Sequence, residues 1–142
     1  MTIVPAAVFA LLLLLCSYHD LKRRTIPNGF TASILALGLL NSVLDRSIPE
    51  AISGILLPAL PLMLIRSRTR GIGAGDIKLI AAIGCWIGWL PNLYVFLIAC
   101  TAALLFAVAR KLWSGTRTHS LPFAPFLFLA VLSLYIIGFT LL

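Results

Sequence analysis

The chain has 142 residues, 61% of them hydrophobic and 11% charged, with a formal net charge of +7. Soluble domains are nearer half apolar, so a mean hydropathy of +1.10 leaves too little polar surface to cover a water-facing exterior. This composition excludes a soluble globular protein and points to a single membrane-embedded domain over residues 1–142.

Six apolar segments follow one another, at roughly 2–18, 30–44, 50–65, 77–90, 92–109 and 121–142. The first has no basic residue ahead of its apolar run and is followed by Lys22, Arg23 and Arg24. That is the reverse of a secretory signal, so it reads as a retained helix. The second to fourth are shorter than the ~20 residues usually needed to cross hydrocarbon. They can gain length from uncharged flanks or thin the bilayer locally. Pro58 and Pro61 inside the third predict a kink. No strand alternation competes, and a helix satisfies its own backbone hydrogen bonds in lipid. The expected fold is all-α: a polytopic membrane protein with a bundle of about six transmembrane helices.

The charges orient this bundle. Lys22, Arg23 and Arg24 lie between segments one and two; Arg66, Arg68, Arg70 and Lys78 lie between or just inside three and four; Arg110, Lys111 and Arg117 lie between five and six. If all six segments span, only Arg46 falls on the other side. The basic side is cytosolic by the positive-inside rule, which puts both termini outside. Attraction to the anionic inner leaflet of the bilayer follows from the same clusters. Topology explains their placement, and no aromatic-interleaved basic stripe exists, so no nucleic-acid partner is expected. Cys16, Cys85 and Cys100 sit singly in apolar runs without CxxC spacing and read as small buried hydrophobes. No metal site is visible and no cofactor is expected.

The carboxylates sort by the same topology. Asp45 and Glu50 fall in the short outer loop and read as solvated charges. Asp20 ends segment one and Asp76 begins segment four, both on the basic side and at matching depth. Each alone has a plain structural reading: Asp20 paired with the neighbouring cations, Asp76 as a helix N-cap. Two acids retained on one face of a chain that otherwise avoids them are candidates for function. Brought close, two carboxyls share a proton; one then activates a water and the other polarises a carbonyl. Gly73 and Gly75 ahead of Asp76 read as freedom for unusual backbone angles and room for a substrate backbone. The helix dipoles suggest that Asp76, at a helix start, is the more acidic partner and the water-activating base.

These residues carry a resemblance. Gly73-Ala74-Gly75-Asp76-Ile77-Lys78 is similar to the GxGDxK pattern of prepilin peptidases, which are integral membrane aspartic proteases. Asp20 followed by Arg24-Thr25-Ile26-Pro27-Asn28 resembles the first motif of that family, an Asp shortly before R-x-I-P-N. Leu121-Pro122-Phe123-Ala124-Pro125-Phe126 resembles its third block, a PFxPF-like start of the last helix. The resemblance implies that Asp20 and Asp76 are the catalytic pair of an endopeptidase. The implied substrate is a type IV pilin-like precursor with a short basic leader, a glycine at the cut and a hydrophobic helix. Cleavage would take place at the cytosolic face of a bacterial or archaeal cytoplasmic membrane. Without the added domain and paired CxxC motifs of bifunctional members, the chain looks like the minimal form found with Tad/Flp-type pilus systems, and methylation is not expected of it.

Lys78 has two readings, snorkelling to the interface or holding the ionised dyad or a substrate carboxylate. Pro27 and Asn28 are expected to shape the lead-in to segment two, and Pro122 and Pro125 to start segment six. His19 and His119 read as interfacial loop histidines. No other cytosolic acid remains for a basic leader, so recognition through the cut-site glycine and packing of the apolar helix is expected instead of salt bridges. A small transporter or proton relay would also explain intramembrane acids, but with acids at mid-depth and near both faces. A non-catalytic pilus-assembly module is the other alternative. The sequence leaves oligomeric state undetermined.

Overall fold

A computed structural model of the chain describes residues 3–45, 47–69, 72–114 and 121–140. Arg46, Arg70, Arg117 and His119, which figure in the sequence reading, lie outside the described residues. The described chain is all-helical: α1 (Ile3–Arg23), α2 (Asn28–Leu44), α3 (Ile48–Thr69), α4 (Ala74–Ile87), α5 (Trp89–Ser114) and α6 (Ala124–Thr140). The six expected segments are all present, as a membrane helical bundle. α1, α3 and α5 each contain a stretch long and apolar enough to cross a bilayer. Large apolar side chains such as Met63, Leu64, Leu104 and Leu105 point outward, as a lipid-facing surface requires.

The helix ends follow from local chemistry. After α1, Arg24 turns into the left-handed region (φ 52°) and donates its N–H to the Asp20 carbonyl at 2.8 Å. Pro27 is extended (φ −63°, ψ 132°) and its carbonyl receives the N–H groups of Phe30 and Thr31, which starts α2. α3 runs on as helix through Pro58 and Pro61 and reaches Thr69, four residues past the expected segment. Between α4 and α5 a single residue, Gly88, makes the break with φ 80°, a conformation that only glycine adopts without strain. Trp89 and Leu90, assigned by sequence to segment four, therefore belong to α5.

α4 resolves the length problem. Its 14 residues span about 21 Å, less than the ~30 Å of hydrocarbon. Leu79, Ile80, Ala82, Ile83, Gly84 and Cys85 are buried, with α2, α3 and α5 packed around it. A helix surrounded by protein need not reach both headgroup layers by itself. It crosses α3 where Gly54 faces Gly84, so closely that a Cβ on either would strike the other's backbone carbonyl. Small residues permit such approach in membrane bundles. Asn92, fully buried, seals the crossing by donating Nδ2 to the Ile80 carbonyl (2.9 Å) and the Gly54 carbonyl (3.4 Å). On the α2 side, Trp86 donates Nε1 to the Ile34 carbonyl at 2.7 Å and stacks on Phe9 at 4.8 Å.

Cross-helix contacts assign the ends. Ser42 to the Cys85 carbonyl, Gly54 to Gly84 and Asn92 to Gly54 gather the end of α2, the start of α3, the end of α4 and the start of α5. At the opposite end lie the last turns of α1 and α3 and the first turns of α2, α4 and α6. That alternation is the one the basic clusters require.

Candidate active site

Asp20 lies in the last turn of α1 and is only 5% exposed. Its Oδ2 accepts the Ala124 N–H at 3.0 Å. Ser17, one turn earlier on the same helix face, donates Oγ to the Ala124 carbonyl at 3.1 Å and to the Leu13 carbonyl at 2.9 Å. α1 thus grips the first residue of α6 by both its backbone groups. The reason lies in the third block. Pro122 precedes the helix and Pro125 is its second residue, so α6 begins at Ala124. The first N–H groups of a helix have no partner within it, which leaves that of Ala124 free for the carboxylate. The C-terminal end of α1 is thus not the only helix end beside Asp20: the positive end of α6 also faces it.

Asp76 is the third residue of α4, and the N-cap is Gly73, which makes no side-chain cap bond. The N-cap reading of Asp76 therefore does not hold. Nor do the glycines supply unusual angles, since Gly73 has φ −65° and ψ 137°, ordinary extended backbone. Their role is steric. A Cβ on Gly73 would come within 2.6 Å of Asp76 Oδ2, and one on Gly75 within 3.2 Å of Ile26 Cβ. Gly73 makes room for the acid itself, and Gly75 lets the R-x-I-P-N segment pack against α4.

Lys78 carries the second link between those motifs, donating Nζ to Asn28 Oδ1 at 2.9 Å. Its ammonium is held by the first residue of α2 as well as being exposed. Sequence reasoning missed Arg66, read only as a topology signal. Its Nη1 donates to the Ile72 carbonyl at 2.8 Å, which ties α3 to the residue before Gly73. Charge-assisted bonds of this kind are worth about 1.5–3 kcal/mol when partly buried. If Asp76 is catalytic, as the resemblance implies, Arg66→Gln is expected to lower turnover about 10-fold and the melting temperature by a few degrees, and Arg66→Lys to recover part of both. Rates equal to wild type for Arg66→Gln would show that this tether does not position Asp76. His19 is helical, contrary to the loop reading, and sits edge-on to Phe30 at 6.1 Å. Cys16 and Cys85 are buried as expected, whereas Cys100 is half-buried.

Asp76 precedes the apolar segment 77–90 by one residue, and its surroundings push its pKa up to about 6. Burial is the larger cause and the negative charge of Asp20 the smaller. This direction is opposite to the one that the helix start by itself would give Asp76. Raising the pH through about 6 removes the Asp76 proton; below it, that carboxyl is neutral and donates. Infrared titration of site-labelled carboxyls should give Asp76 a midpoint near 6. Asp20→Asn should lower that midpoint only partway, because burial remains. A midpoint unmoved by Asp20→Asn would exclude the interaction.

A cavity of about 300 Å³ opens beside Asp76 and Gly73, with walls from Leu62, Phe96, Cys100 and Phe123. Asp20 does not line it.

Comparison with known proteins identifies relatives of the chain. Residues 7–108 match the model of the type IV leader peptidase family. The chain is 32% identical to a prepilin leader peptidase/N-methyltransferase of Pectobacterium carotovorum, over 89% of this chain and 49% of that protein. It is 34% identical to an Escherichia coli type 4 prepilin-like proteins leader peptide-processing enzyme, over 80% of this chain and 44% of that protein. A Burkholderia pseudomallei prepilin leader peptidase/N-methyltransferase is 34% identical over 81% of this chain and 40% of that protein. The chain thus spans about half the length of the curated relatives it matches. No solved structure matches it significantly. With the match covering most of a helical membrane bundle and both acid-bearing motifs, the chain belongs to the type IV leader peptidase family.

Proposed function

We propose that this protein is a membrane aspartic endopeptidase that removes the leader from type IV pilin-like precursors. It would act as one multi-pass domain at the cytosolic face of a bacterial or archaeal cytoplasmic membrane, with both termini outside. The observation that carries this reading is the meeting of three separate sequence blocks around two acids at one end of the bundle.

Asp20, whose Oδ2 already accepts the Ala124 N–H, is the member placed to act as base, which leaves Asp76 to carry the shared proton. Asp76 donates to the oxygen of the scissile carbonyl. Asp20, held in an acceptor role by the Ala124 N–H, takes a proton from the attacking water. The tetrahedral intermediate then collapses, with the proton on Asp20 passing to the leaving amine nitrogen. Gly73, Ile26 and the Lys78–Asn28 bond position Asp76; Ser17 and Ala124 position Asp20.

Co-expression with candidate precursors tests the reading. The wild-type chain should yield a shorter product with a new N-terminus at one defined bond. Precursors that stay full length in the presence of inserted wild-type protein would refute it.

A further inference from the structure

We infer, resting on the proposed peptidase reading, that Asn92 is a positioning residue for Asp76. It joins α3, α4 and α5 at the point from which the site end of each helix is aligned. Residues four apart share one face of a helix, about 6 Å apart along its axis, and three such faces lead from Asn92 to Asp76. On α4 the face holds Gly84, Ile80 and Asp76; on α5, Asn92, Phe96 and Cys100; on α3, Gly54, Pro58, Leu62 and Arg66. The site ends of all three meet at the cavity beside Asp76, which Ile80, Phe96, Cys100 and Leu62 line, while Arg66 holds the Ile72 carbonyl at its rim. The opposite ends meet at the Gly54–Gly84 crossing, about 12 Å along α4 from Asp76. There Asn92 Nδ2 bridges the Ile80 and Gly54 carbonyls.

The sequence of α3 explains why a donor is needed at this point. In a helix the Gly54 carbonyl would receive the N–H of residue 58, but that residue is a proline and has none. A carbonyl left without a donor inside a membrane bundle is costly. Asn92 supplies the donor from the neighbouring helix. Its own Oδ1 is buried and accepts no hydrogen bond from the described residues. The amide is therefore kept for its donor end, since a side chain kept for packing alone would be apolar here. Two facing glycines have no side chains to interlock, so the bridge from Asn92 is what fixes α4 lengthwise against α3. A slip of α4 by one residue would carry Asp76 about 1.5 Å along the bundle.

The test uses purified full-length protein in lipid nanodiscs, a precursor that wild type cleaves, and a cycle of substitutions at positions 92 and 58. Asn92→Leu should lower kcat about 10-fold with KM within about 2-fold of wild type, as for a small displacement of a reacting group. Pro58→Ala gives the Gly54 carbonyl a backbone donor of its own. In that background, measured against Pro58→Ala alone, Asn92→Leu should cost less than about 3-fold. Asn92→Ser, smaller and polar, should give the same pair of results and keeps the test decisive if the leucine variant does not insert. Leu93→Ala, at an exposed position beside Asn92, should leave kcat as in wild type. A kcat unchanged by the substitutions at 92, or a loss of equal size with and without Pro58→Ala, would overturn the positioning role and leave Asn92 as a packing residue. Cleavage of no precursor by wild type would instead refute the peptidase reading, and the positioning role with it.

Discussion

Asp20→Asn and Asp76→Asn should each reduce leader cleavage by about 10³-fold or within tenfold of that, while the protein remains inserted and folded. The two losses follow from different steps. Asn at 76 cannot pass a proton to the carbonyl oxygen, and Asn at 20 cannot take one from water; general acid–base groups of this kind contribute about 10²–10⁴-fold each. The double substitution should cost little more than either single one, because the pair acts as a unit. Insertion should persist, since asparagine keeps the shape of the side chain and its amide oxygen can still accept the Ala124 N–H at position 20. Processing of a precursor in cells, followed by mass spectrometry of the product, measures both. Near-normal cleavage by either variant would remove that residue from the chemistry.

Gly73→Ala should have the next largest effect, about 10²-fold on kcat with KM little changed. The new Cβ would approach Asp76 Oδ2 to 2.6 Å, so the carboxyl must rotate away. Displacement of a reacting group by about 1 Å is worth a factor of this size. The backbone itself tolerates alanine, since φ is −65° at this position, so stability should hold. Gly75→Ala is the contrast. Its Cβ meets Ile26 Cβ at 3.2 Å, a crowding relieved by a shift of a few tenths of an ångström, and should cost less than about 5-fold. If the two substitutions behave alike, Gly73 serves general flexibility instead of the placement of Asp76.

The bundle was legible because two one-dimensional signals agreed. Apolar runs marked the helices, and basic clusters alternated with them, so that the placing of Lys22 or Arg110 constrained the count of spans. That both acids lie at one end of the bundle was legible for a related reason: with only four carboxylates in the chain, topology left Asp20 and Asp76 alone on one face. The break at Gly88 was hidden because Ile87, Trp89 and Leu90 on either side continue the apolar run, and only the positive φ marks it. The work of Gly73 and Gly75 was hidden because what a missing Cβ makes room for is a contact in space. The raised pKa of Asp76 was not legible because the helix dipole is local and visible in sequence, whereas burial is tertiary. Ala124 carried no signal of its own; its significance comes from the prolines that start a helix there and leave its N–H unpaired.

The central claim is that Asp20 and Asp76 face one another as a working pair, and proximity tests it most directly. In a background with Cys16, Cys85 and Cys100 replaced by alanine or serine, Asp20→Cys and Asp76→Cys are combined in the full chain and treated in native membranes with a short bifunctional thiosulfonate. An intramolecular bridge between positions 20 and 76 is expected, absent when either cysteine is moved one turn along its helix. Failure to bridge, with both thiols shown to react singly, would contradict the claim.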